Sequence, residues 1–325
     1  MNEAEVIARL RRMATAPEAR GLLDDVAVLD GLVITHDSIA EGIHFLSTDP
    51  PASVGWKLVA VNLSDLAAKG ATPRGALLSL TISGVDDWEE RFLSGVEAAC
   101  ESYQLPLIGG DTIGLPPGAP RVLGMTAIGR AGAYVPDRAG GRPGDRLWVV
   151  GTLGDSAAGL AQLRADAKAA SVLVDIYRRP IPQLGAGQLL APHAHAMMDV
   201  SDGLLLDVRR IAEASGCSAE IDLDALPLSH GFIESRGNGR EARLFAATAG
   251  DDYALLAAFP SDLDPSTLSL PEGTTVARVG TLAAGDPHIR LVSGGHSIAL
   301  PETLGFEHSS NQHRPISDPS LADRP

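Results

Sequence analysis

Apolar positions follow two rhythms along this chain, and the switches between them divide it into strands and helices. The β-branched runs "VAVLD" (26–30) and "LVITH" (32–36) read as strands, and so does "ALLSLTI" (76–82). Between them, "VGWKLVAVNLSDLAAKG" (54–70) spaces its apolar residues by three and four, which predicts a helix with Ser53 placed to cap it. A helix from about Asp86 to Tyr103, a short strand "PLIGG" (106–110) and a strand "RVLGMTAIG" (121–129) are expected next. Near Val135 the rhythm breaks in "PDRAGGRPGD" (136–145), a turn-rich connection, before the strand "RLWVVG" (146–151) opens a second series. That series continues with a helix after Gly154, a proline-punctuated stretch "RRPIPQLG" (178–185) and the strand "AMMDV" (196–200). A helix from Gly203 to Ser215 and strands near "AEIDL" (219–223) and "YALLAAF" (253–259) complete it. The alternation predicts an α/β fold in two domains, residues 1–137 and 138–307, with a polar, proline-bearing stretch 308–325 expected to be a disordered tail. Neither heptads nor a short internal repeat are present.

Composition narrows the function. With 325 residues, 45% hydrophobic and 21% charged, the chain is ordinary globular material with room for two cores. A formal net charge of −15, and only three lysines (Lys57, Lys69, Lys168), argue against nucleic acid or an anionic membrane as partner. Cys100 and Cys217 lie far apart without a C-x-x-C pairing, and "MNEAEVIARLRRMA" has no apolar signal core, so a cytoplasmic protein with small buried thiols is expected. No apolar run approaches the roughly 20 residues needed to span a bilayer.

Acidic residues recur at the joints between elements: Asp24 and Asp25, Asp37, Asp65, Asp111, Asp199 and Asp202, Asp251 and Asp252. Singly, each is most simply a turn former or helix starter. Collectively they fall near strand ends, where open α/β sheets gather their active sites. Two like charges about 4 Å apart cost ~4 kcal/mol at an effective dielectric near 20, so a convergent set must either protonate or bind metal. An oxygen-only donor set favours Mg²⁺. Asn62, Asp65 and Lys69 share one helix face, and the plain reading of that face is a solvated stripe with a helical ion pair. Neither common ATP cradle is present, G-x-x-x-x-G-K-[ST] nor the protein-kinase loops. "GTLGDSAAGL" (151–160) has the makings of an anion-facing turn, and no covalent nucleophile stands out.

The motifs "LLDDVAVL", "THDSIAEGIHF", "GWKLVAVNLSDLAAKGATP", "LIGGDT", "GTLGDSAAGL", "MDVSDGL", "AGDDYALL" and "GFEH" resemble, in order and spacing, those of the thiamine-monophosphate kinase family, from about Asp24 to Phe306. Some are shared more loosely with a wider superfamily that includes aminoimidazole ribonucleotide synthetase and selenophosphate synthetase. The resemblance implies a two-domain PurM-like α/β fold whose N-terminal sheet pairs with that of a second subunit into a dimeric β-barrel. It implies phosphorylation of thiamine phosphate by ATP, by direct transfer with several Mg²⁺ ions. Metal roles carry over onto Asp25, Thr35, His36 (through its backbone), Asp37, Asp65, Asp111, Asp199 and Asp202. ATP contacts carry over onto Gly110, Asp111, Arg138 and Ser201, and substrate contacts onto His44, Asp251 and Phe306, with Asp37, Asp65 and Asp202 positioning the reaction. Leu23 and Ala249 stand where the family usually has glycine, and Asp251 where it has glutamate. Glu41 has no role in this scheme. Two other readings stay open: another ATP-dependent member of the superfamily, and a non-catalytic nucleotide-binding scaffold.

Overall fold

The computed structural model describes residues 3–84 and 87–307. Its first half contains α1 (Glu3–Arg11), β1 (Ala27–Leu29), β2 (Leu32–Ala40), α2 (Pro51–Ala68), β3 (Thr72–Ile82), α3 (Trp88–Ser102), β4 (Leu107–Gly114) and β5 (Val122–Arg130). The strands form one five-stranded sheet in the order β1-β2-β5-β3-β4, antiparallel except for the β3–β4 pair. Val33, Ile39, Met125 and Ala127 on one face of this sheet pack with Leu58, Leu66 and Phe92 of α2 and α3. The sheet is open: among the described residues no closed barrel forms within one chain, and β4 is an edge strand exposed along its whole length.

The second half adds β6 (Arg146–Val150), α4 (Asp155–Ala165), α5 (Val172–Arg178), α6 (Leu184–Leu190), β7 (Ala196–Val200), α7 (Leu204–Ser215), β8 (Ser218–Asp222), α8 (His230–Arg236), α9 (Arg240–Thr248), β9 (Ala254–Phe259), β10 (Val276–Ala283), β11 (Ile289–Ser293) and β12 (His296–Ile298). Its seven strands run β12-β11-β8-β10-β6-β9-β7. The α/β expectation is met with two sheets, one on each side of the 136–145 connection. None of the described helices is long and apolar enough to cross a membrane.

Helix α2 departs most from expectation. Every residue in it except Ala52 and Trp56 is buried, including Lys57, Asn62 and Asp65. The supposed solvated stripe is therefore interior, and Lys69, fully buried just beyond the helix, pairs with Asp24 at 2.6 Å rather than with Asp65. The cause is that α2 has neighbours all round: α3, the first sheet, and α6 and β7 of the second half. Ala67 and Ala68 share a core with Trp148, Leu190 and Phe259. Glycines permit the close crossings: a Cβ on Gly95 of α3 would lie 1.9 Å from the Ala52 carbonyl oxygen, and one on Gly187 of α6 1.9 Å from that of Ala67. Ser53 does not cap α2. The helix begins two residues earlier, at Pro51, whose ring suits the first helical position, and the Ser53 hydroxyl donates to the Pro50 carbonyl at 2.8 Å. Helix α3 begins at Trp88; the expected start at Asp86 and the expected tail lie outside the described residues.

Candidate active site

Asp25 lies just before β1, Asp65 on α2 and Asp199 on β7, and one carboxylate oxygen from each lies within 4.8 Å of the others. Short local contacts fix them. The Thr35 hydroxyl, inward-facing on β2, bonds the Asp65 carboxylate and lies 3.3 Å from the Asp25 carbonyl; Ser64 donates to Asp199 at 2.6 Å. Asp37 joins from β2, where its N–H donates to Asn62 Oδ1 at 2.9 Å. Among the described residues no cation pairs with Asp37, Asp65 or Asp199, and their proton affinities reflect it. Burial, then the charge of Asp25, pushes Asp199 up to about 8; burial, Asp25 and Asp202 push Asp37 up to about 6. Burial with Asp37, Asp199 and Asp25 carries Asp65 well above the carboxylate range.

The surrounding acids are compensated. Arg138 pairs with Asp25, and Arg210 bridges Asp202 at 2.6 Å and Asp207 at 2.7 Å. Burial raises the proton affinity of Asp25, but Arg138, Lys69 and Arg210 outweigh it and the net shift is downward. One Asp25 oxygen, Oδ2, is buried and accepts no hydrogen bond. An orphaned carboxylate oxygen, an all-oxygen donor set and three acids without a counter-ion fit a hard divalent cation.

Beside this cluster opens a cavity of about 510 Å³ whose walls include Asp37, His44, Tyr177, Ser201, Asp251 and Phe306. His44 sits in the turn that closes β2, its Nδ1 accepting from the Ala40 N–H at 3.1 Å. Two anchors hold its loop. Glu41 binds the Arg121 guanidinium at 3.0 Å and, through its own N–H, the Arg121 carbonyl at 2.9 Å. Asp49 accepts from the Leu46 N–H at 2.8 Å, the Tyr177 hydroxyl at 3.2 Å and Arg178 Nε at 2.9 Å. Asp251 adopts a left-handed backbone (φ 73°), with its N–H on the Ser201 carbonyl at 2.6 Å. Its carboxylate is paired with the Lys57 ammonium and accepts from Ser156 at 3.1 Å and Tyr253 at 2.7 Å. The Phe306 ring, 37% exposed, faces the cavity rather than the core, and its N–H donates to the Asp202 carbonyl at 2.8 Å.

Residues 23–131 match the family described as AIR synthase related protein, N-terminal domain, and residues 142–290 its C-terminal domain. The thiamine-monophosphate kinase of Salmonella typhimurium is 37% identical over 307 residues, 89% of this chain and 91% of that protein. That of Caulobacter vibrioides is 36% identical over 327 residues, 94% of this chain and 90% of that protein. The chain belongs to the thiamine-monophosphate kinase family. Two solved structures share the fold closely: AaThiL complexed with AMPPCP and TMP (TM-score 0.81, 30% identity, 95% of this chain and 97% of that one) and the Stenotrophomonas maltophilia thiamine-monophosphate kinase (TM-score 0.73, 35% identity, 90% and 96%).

Seen as a member of the thiamine-monophosphate kinase family, the chain gathers most of the residues expected at its site. Asp25, Thr35, Asp37, Asp65, Asp199, Asp202 and Arg138 lie in or against the acid cluster, while Ser201, His44, Asp251 and Phe306 line the cavity. The His36 ring is on the opposite face of β2, with Nδ1 2.9 Å from the Thr126 hydroxyl. Gly110 and Asp111 stand apart on the exposed edge strand β4, three strand spacings from β2, or about 14 Å. The glycine-rich turn at 151–154 does not present its Gly151, Leu153 and Gly154 amides to a ligand as expected, because they already donate to the Thr275 carbonyl at 2.9 Å, the Pro227 carbonyl at 3.0 Å and the Asp252 carboxylate at 2.8 Å. Sequence reasoning missed Lys57, Asp49, Tyr177, Asp207 and Arg210. One signal was available: in a chain with three lysines, two occupy positions in a predominantly apolar helix and its end, where an ammonium needs a partner.

Proposed function

We propose that this protein transfers the γ-phosphoryl group of ATP to thiamine phosphate, giving ADP and thiamine diphosphate. The observation that carries this reading is the convergence of Asp25, Asp65 and Asp199 beside the cavity lined by His44 and Phe306, in a chain of this family. Asp25, Thr35, Asp37, Asp65, Asp199 and Asp202, with the His36 backbone, are the groups that would hold Mg²⁺; when bound, the ions neutralise phosphate oxygens and the charge that develops in transfer. Arg138 and Ser201 are read as nucleotide contacts, and His44, Asp251 and Phe306 as the substrate wall. The neighbouring AMPPCP and TMP complex supports both ligand classes. Phosphoryl transfer asks mainly for positioning and charge neutralisation, so direct in-line transfer needs no covalent nucleophile. Asp37, Asp65 and Asp202 are the positioning carboxylates.

The homodimer is part of the proposal. Leu107, Ile108 and Ile113 on β4 and Leu77 on the adjacent β3 are exposed, and an open apolar edge is a pairing template that a second copy would cover. A shared barrel also accounts for Gly110 and Asp111 standing away from the acid cluster of their own chain. The division at residue 137 and the cytoplasmic location expected from the cysteine pattern belong with this reading. Release of ADP from ATP and Mg²⁺, measured with and without thiamine phosphate, tests it: dependence on thiamine phosphate is expected, and equal release in both would overturn it.

A further inference from the structure

We propose that Lys57, which does not reach the cavity surface, is a positioning residue for the thiamine phosphate half of the site, acting through an ion pair with Asp251; the inference rests on the kinase reading above. Lys57 lies in α2 and is 1% exposed. A buried ammonium persists only where it is paired and hydrogen-bonded. Here its surroundings come from separate segments that each contribute a wall of the cavity. Its Nζ donates to the His44 carbonyl at 3.0 Å, pairs with the Asp251 carboxylate, and lies 4.1 Å from the centroid of the Tyr177 ring. The loop after β2, helix α5 and the segment before β9 therefore meet at one ammonium group. Tyr177 extends the connection, since its hydroxyl bonds Asp49, which holds the Leu46 N–H of the His44 loop.

The pair is also polarised. The Lys57 side chain is 2% exposed and that of Asp251 25%, so the negative end faces the cavity and the positive end is interior. Both Asp251 oxygens are already engaged, by Lys57 and Ser156 on one and Tyr253 on the other, and the left-handed backbone fixes where they point. A ligand carrying a cationic thiazolium ring would meet an oriented carboxylate of limited strength. Removing Asp251 would leave the ammonium without its counter-ion behind the ring, and removing Lys57 would take from the Asp251 carboxylate its cation and from the His44 carbonyl its donor.

The test compares wild type, Lys57→Met, Asp251→Asn and the double variant, in the full chain with Mg²⁺. Steady-state kcat and KM are measured for thiamine phosphate and ATP separately, with melting temperature and calorimetric titration of thiamine phosphate. Lys57→Met is expected to raise the KM for thiamine phosphate about tenfold while that for ATP stays within about twofold. Asp251→Asn should do more damage than Lys57→Met, and the double variant should recover toward Lys57→Met because it holds no unpaired charge. Lowered melting with both KM values unchanged would make Lys57 a core strut and overturn the proposal, as would strictly additive losses in the double variant or a parallel rise in the KM for ATP. If Lys57→Met does not fold, the comparison of Asp251→Asn with the double variant decides: recovery supports the pair, none overturns it. Wild type that binds thiamine phosphate without turnover would instead sink the kinase reading, and the calorimetric series would still judge Lys57.

Discussion

Asp65 receives a threonine hydroxyl and the repulsion of three neighbouring carboxylates, and among the described residues no cation pairs with it. Asp65→Asn is therefore expected to lower phosphoryl transfer at least about a hundredfold while leaving melting in chelator unchanged or raised, since the amide matches the carboxyl group in volume and removes its repulsion with the neighbouring acids. Turnover across a Mg²⁺ titration, set beside melting in chelator, checks both halves. The same cluster fixes a pH dependence. Asp199 is displaced to about 8 and Asp37 to about 6, above an unfolded value near 3.9, so the metal-free folded state holds more protons than the unfolded one across that window. Their contribution to stability is thus present at low pH and lost as pH rises from about 4 to about 8. Melting in chelator should fall over this range and Mg²⁺ should flatten the slope; a melting temperature that rises steadily from pH 5 to 8 in chelator would refute it. Phe306→Ala should leave melting nearly unchanged and raise the KM for thiamine phosphate about tenfold, or about 1.4 kcal/mol, because the ring faces a cavity and leaves no hole in the core. At this scale the acids were legible in the sequence, since aspartates at strand ends stand out one by one. Their cations were not: Lys57 meets Asp251 at a separation of 194 residues and Lys69 meets Asp24 at 45, and no local pattern announces such pairs.

Spacing alone located helix α2 and misjudged its surroundings. Three- and four-residue periodicity marks a helix with a polar face, but whether that face meets water depends on α6 and β7, more than a hundred residues later in the chain. The glycine-rich turn before α4 misled for a similar reason, its amide being taken by a carboxylate from residue 252. A test of this packing is Gly95→Ala. In an exposed helix that change gains up to about 1 kcal/mol. Here the new methyl would lie 1.9 Å from the Ala52 carbonyl oxygen, so overpacking of about 1 to 3 kcal/mol and a fall of several degrees in melting temperature are expected. The sign of the change, read by thermal melting, is enough to judge it.

Two sheets suggest two independent domains, and the connection at 136–145 looks like a linker, yet the cores are joined through α2. Ala67 and Ala68 pack with Trp148, Leu190 and Phe259, and Ser64 on the same helix bonds Asp199. Calorimetry is accordingly expected to show one cooperative transition rather than two, and a fragment of residues 1–137 to lack a fixed fold. Two resolved transitions, or a dispersed amide spectrum from the fragment, would count against this. Helix α2 also imposes an order in time. A ribosome adding about 5 to 20 residues per second finishes α2 roughly ten seconds before it completes β7, the strand that supplies Asp199 and covers the helix. Throughout that interval the nascent chain carries a helix whose apolar residues, and whose Lys57, Asn62 and Asp65, have part of their enclosure still unmade, so the first half cannot complete its core until the second half emerges.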